Sequence, residues 1–176
     1  MVFVLAMCAV YSGSEWRRIL VLVTSFTIGH SITLALSTFN LIQFNTSLIE
    51  LLIPVTILAT CLYNFTQLNK GKQKGNSLWS LTNLFAVGFG LIHGMGFSNY
   101  LKSLLGKGQN VALELFAFNL GIELGQLLIV FLVLLLNFLL LRMFSVKKRD
   151  WILGVSSAAA GIALILLLDQ DFTAVF

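Results

Sequence analysis

Residues 90–97 read Gly90-Leu91-Ile92-His93-Gly94-Met95-Gly96-Phe97, a titratable ring set in the middle of an apolar run. A polar side chain inside hydrocarbon costs free energy unless something pairs with it, so an intramembrane histidine asks for a partner. Gly90, Gly94 and Gly96 surround it, and small residues let another backbone or a small ligand approach the ring closely. The second and last histidine of the chain, His30, also lies in an apolar run.

The surroundings of both rings are those of a membrane protein. Of 176 residues, 58% are hydrophobic and 10% charged, with a mean hydropathy of +0.95. A soluble domain carries about a quarter charged residues. The expected class is all-α, a polytopic transmembrane helical bundle with the lipid bilayer as its main partner. The formal charge of +4 reads as loop charge that sets orientation. No basic run alternates with aromatics, so no nucleic-acid partner is expected. Cys8 and Cys61 both fall in apolar stretches and read as reduced packing residues. No basic segment precedes the first apolar stretch, so no cleavable signal is expected.

Six apolar segments are expected within a single transmembrane domain, residues 1–176. The first, Met1 to about Ser12, is short, because spanning takes about 20 residues. The others run from Ile19 to Phe39, Leu48 to about Leu68, Leu78 to Tyr100, Val111 to Phe144 and Trp151 to Leu168. Pro54 in the third span predicts a kink and a freed carbonyl. The fifth segment is too long for one perpendicular helix and must tilt, kink or begin at the interface. Trp16, Trp79 and Trp151 fall at expected span ends, as interface anchors do. Loops one, three and five hold Arg17, Arg18, Lys70, Lys72, Lys74, Arg142, Lys147, Lys148 and Arg149, against Lys102 and Lys107 in the others. Basic residues stay on the cytoplasmic side, so both termini are expected to be non-cytoplasmic.

Three polar sets recur at helical spacing. Thr27, His30 and Ser31 share a face of the second span. Asn119, Glu123 and Gln126 share a face of the fifth, beside a small-xxx-small pair, Gly121 and Gly125, suited to close helix approach. Glu50, Cys61 and Asn64 share a face of the third. At 1.5 Å per residue, His30 lies roughly 18 Å and His93 roughly 24 Å from the inner surface. Both rings and a carboxylate can therefore meet in the outer half of the bilayer, where they must satisfy each other, trapped water or a metal. Two histidines with Glu and Asn, Ser or Gln suit a borderline divalent cation such as Ni²⁺, Co²⁺ or Zn²⁺. The candidate metal contacts are His30, His93, Glu123, Glu50, Asn119 and Ser31. The plain alternative is that the histidines only hydrogen-bond neighbouring helices. Glu114 reads as interfacial.

At these positions the chain resembles the HupE/UreJ family of bacterial membrane proteins, in the branch carrying a His-Ser-x-Thr-Leu span and a Gly-Leu-x-His-Gly-x-Gly-Phe span. Here these are His30-Ser31-Ile32-Thr33-Leu34 and Gly90 to Phe97. A third signature, Asn-Leu-Gly-x-Glu-Leu-Gly-Gln, stands at Asn119 to Gln126, and Glu50 matches a carboxylate that opens the third span. The family pattern opens its first span with Gly-x-Asp-His, and this chain starts at Met1 without it. The resemblance implies a hydrogenase- and urease-accessory protein of the bacterial inner membrane, usually described as a nickel or cobalt permease, with His30, His93 and Glu123 as first candidates for metal contact.

Three functions compete. A transition-metal permease would take up cation through Glu50 and the histidine pair. A metal-dependent intramembrane hydrolase would hold zinc with one open position for an activated water, Ser31 and Glu123 assisting. A non-catalytic scaffold would use its polar residues only to bind helices together. The composition leaves room for a homo-oligomer.

Overall fold

The computed structural model describes residues 1–11, 15–68, 81–104 and 111–170. They form six helices: α1 (Val2–Cys8), α2 (Trp16–Thr38), α3 (Thr46–Thr66), α4 (Leu81–Leu104), α5 (Val111–Arg142) and α6 (Lys148–Leu168). Among the described residues, the five from α2 to α6 are long and apolar enough to cross a membrane. The protein is a polytopic helical membrane bundle. Lys70, Lys72, Lys74, Trp79 and Lys107 lie outside the described residues.

The helix ends follow local chemistry. The α2 helix closes through Asn40, whose φ of 56° puts it in the left-handed region. There Asn40 N–H donates to Ser37 O at 2.9 Å and Leu41 N–H to Leu36 O at 2.9 Å, the paired bonds of a Schellman cap. The Asn40 Oδ1 also accepts from Lys102 Nζ at 2.8 Å, tying the end of α2 to that of α4. Asn45 starts α3 by accepting from Ser47 N–H at 3.0 Å and Leu48 N–H at 3.4 Å, a side-chain N-cap.

The expected span limits shift toward charge. The α2 and α6 helices each begin three residues early and take Arg17, Arg18, Arg149 and Asp150 into their first turns. The α4 helix runs on past Tyr100 and carries Lys102 in its last turn. Hydropathy stops at the edge of the oil, whereas backbone hydrogen bonding continues into the interface, where long basic side chains snorkel. The fifth segment is one continuous helix of 32 residues. That is about 48 Å at 1.5 Å per residue, against about 30 Å of hydrocarbon, so it tilts or projects.

The short α1 is packed inside the bundle, against α3, α5 and α6. Its Phe3, Val4, Ala6 and Cys8 are all buried, within the main apolar core. Asn64 on α3 clamps it: Nδ2 donates to Ala6 O at 2.7 Å and to Ser156 Oγ on α6 at 3.0 Å.

The most extensive helix pair is α2 against α4, and glycine makes it possible. A Cβ on Gly29 would strike Val87 O, one on Gly90 would strike Phe26 O, and one on Gly94 would strike His30 O. The two backbones touch along this seam, as small-residue seams in membranes allow. The expected Gly121 and Gly125 approach does not form. Gly121 has nothing within 4 Å and Gly125 meets only Met1 Cε at 3.9 Å, because this side of α5 points away from α2.

Candidate functional site

The glycine seam fixes the two histidines. His30 is placed by α2 with its backbone carbonyl against Gly94, and His93 precedes that glycine on α4. Both rings are buried, at 2% and 9% exposure. Both lie against Phe26, with ring centroids 6.1 Å away for His30 and 5.4 Å for His93. Phe3 covers His93 at 5.1 Å and Phe97 covers His30 at 5.6 Å. The two imidazoles thus have one aromatic neighbour in common, the Phe26 ring.

Their polar atoms differ in a way that matters. His93 Nε2 is 3.0 Å from Thr56 Oγ1 on α3. Thr56 Oγ1 also lies 2.7 Å from Ile53 O, and which group donates in the Thr56–His93 bond follows the tautomer of the ring. Like Trp151 Nε1, the ring of His30 is unpartnered among the described residues. Both Nδ1 and Nε2 are buried and neither has a hydrogen-bond partner. An orphaned buried polar group costs about 1–3 kcal/mol, a cost retained where the group has a binding or catalytic role or is met by solvent or an ion.

The other candidates fall around this pair in distinct roles. Ser31 Oγ donates to Asn119 Oδ1 at 2.9 Å, and Thr27 Oγ1 donates to Gln126 Oε1 at 2.8 Å. These bonds pin α2 to α5 three residues before His30 and one residue after it, so Ser31 and Asn119 are committed to each other. Glu123 lies between the two pinned α5 residues in sequence and is half-buried.

Glu50 is exposed, away from the pocket. Helical arithmetic puts it on the stripe of Cys61 and Asn64, but α3 buries different faces along its length. At its start Ile49 and Ile53 turn toward Gly96 of α4; beyond Pro54 the buried stripe turns through Cys61 and Asn64 toward α1 and α6. Cys8 and Cys61 are both free and buried. Trp16 is half-exposed at the start of α2, as an anchor should be, whereas Trp151 is buried at 7% in the core.

Among the described residues, no three of His, Cys, Asp and Glu gather closely enough to hold an ion together. The Thr56 hydroxyl stands against His93, and Glu123 is a half-buried carboxylate on α5. Thr56, Phe26 and Phe3 escaped sequence reading. The spacing Thr56, Thr60, Asn64, four residues apart on α3, was the available signal for the first of them.

The family model described as HupE / UreJ protein matches residues 1–170. No significant match emerges among curated proteins or among solved structures. With the match running from the first residue of α1 through the end of α6 and including both histidine spans, the chain belongs to the HupE/UreJ family.

Proposed function

We propose that this protein is a permease of the bacterial inner membrane for a divalent transition metal, nickel or cobalt, with His30 and His93 as the cargo's first contacts. One observation carries the reading: a buried His30 with both ring nitrogens unpartnered, against a phenyl ring, Phe26, that a second imidazole also faces. A histidine used only to hold helices together would be paired. Imidazole nitrogens suit nickel and cobalt, and two of them with neutral oxygens make a contact loose enough to release its cargo. Glu123, between the two α5 residues bonded to α2, supplies the carboxylate once the cation arrives. The hydrolase reading asks for three protein ligands and an open position, of which the histidines give two.

The test is uptake of Ni²⁺ and Co²⁺ into vesicles holding purified protein. The expected result is that His30→Ala and His93→Ala each lower uptake at least tenfold, Glu123→Gln lowers it less, and Glu50→Gln leaves it unchanged, with all variants folded. Uptake indifferent to both histidines would end the reading.

A further inference from the structure

A second cavity, of about 580 Å³, lies among α1, α2, α3 and α4, within the range of about 300–1,000 Å³ usual for ligand pockets. Its floor is Met7, Leu22 and Ala86, all buried. Its mouth is at Ala59 and Tyr63 of α3 and Phe85 of α4, which are exposed where the bundle meets the bilayer. Tyr11, Thr60, Tyr63, Asn64 and Thr82 are the polar residues of its lining. Thr60 Oγ1 donates to Thr56 O at 2.9 Å, and the Asn64 amide is spent on Ala6 and Ser156. The lining is mainly apolar, which favours hydrocarbon over a cation. Tyr63, three residues from the end of α3, and Thr82, at the start of α4, set the mouth near the head-group level, where tyrosine favours the interface. From Thr82 to Phe89 the cavity runs about 10 Å along the helix axis.

We propose that this cavity seats an acyl chain of a bilayer phospholipid, entering between α3 and α4 with its terminal methyl against Phe3 and Phe89. The site is separate from the histidine pocket and does not depend on metal. Its inner end nonetheless abuts the aromatic wall of that pocket, since Phe3 lies 5.6 Å from Phe89 and 5.1 Å from His93, centroid to centroid.

The test uses the full chain, without metal, in phosphatidylethanolamine and phosphatidylglycerol vesicles doped with phosphatidylethanolamine bearing a diazirine midway along one acyl chain. After illumination, adducts are mapped by mass spectrometry. The expected result is labelling of Met7 and Leu22, which lipid around the bundle does not reach, and its loss by at least tenfold in Ala59→Trp, which plugs the mouth, with labelling of Phe131 on the exposed side of α5 unchanged. Adducts confined to the outer faces of α5 and α6, or Met7 labelling indifferent to Ala59→Trp, would overturn it. So would hydroxyl-radical oxidation of Met7 without an acyl adduct, the sign of a water-filled space. None of these outcomes bears on metal uptake.

Discussion

His30 sets function against stability in one side chain. Its ring is buried and unpartnered, and replacing an orphaned polar group by an apolar one of similar shape removes a desolvation penalty of about 1–3 kcal/mol. His30→Leu is therefore expected to raise the thermal midpoint of the purified protein while it abolishes metal uptake; a fall in the midpoint would mean that the ring is paired in the membrane. The Thr27–Gln126 bond makes a milder case. Interhelical bonds in membranes average about 0.6 kcal/mol, and Thr27→Val should cost about that much in a double-mutant cycle with Gln126→Leu, read by denaturation in mixed micelles. The histidines were legible in the sequence because a titratable ring has no cheap place in oil. Thr56 was not, because a helical threonine can always bond its own preceding turn, as Thr60 and Thr38 do, and its spacing with Thr60 and Asn64 marks a polar stripe without naming the ring on another helix that it meets. Glu50 misled for the opposite reason: periodicity assigns a face, but not which neighbour covers that face at each level.

Glycine position decides how the elements pair. Gly90 and Gly94 carry α4 onto the backbone of α2, while Gly88, on the same helix, has nothing within 4 Å of where a Cβ would stand. Gly90→Ala and Gly94→Ala should each lower stability by about 1–3 kcal/mol, the usual cost of overpacking, and should weaken uptake by moving the histidines apart. Gly88→Ala should be neutral or slightly stabilising, since alanine is the better helix former. Equal effects at the three positions, measured as thermal midpoints, would contradict the seam. The five long spans were plain in the hydropathy, and so was the close approach that glycine around His93 permits. Which small-residue pair is used was not, because Gly121 and Gly125 have the same spacing as Gly90 and Gly94, and only the tertiary arrangement separates a buried glycine stripe from an outward one.

For the whole molecule, the excess of basic residues in the first, third and fifth loops predicts the orientation. Lys72→Cys should react with an impermeant maleimide only from the cytoplasmic face and Gln43→Cys only from the other face, with native Cys8 and Cys61 silent in their buried positions; the reverse pattern would invert the bundle. The short first helix was expected to be short, but its place at the centre of the packing was not legible: seven residues carry too little periodicity to name their neighbours, and the clamp from Asn64 joins parts of the chain far apart in sequence. The central claim is that one buried pocket brings two distant imidazoles onto the same cation. Nickel K-edge X-ray absorption of the metal-loaded protein tests it most directly: two imidazole ligands are expected in the native chain, one in His30→Ala and one in His93→Ala. A nickel spectrum without imidazole, or one unchanged by either substitution, would contradict it.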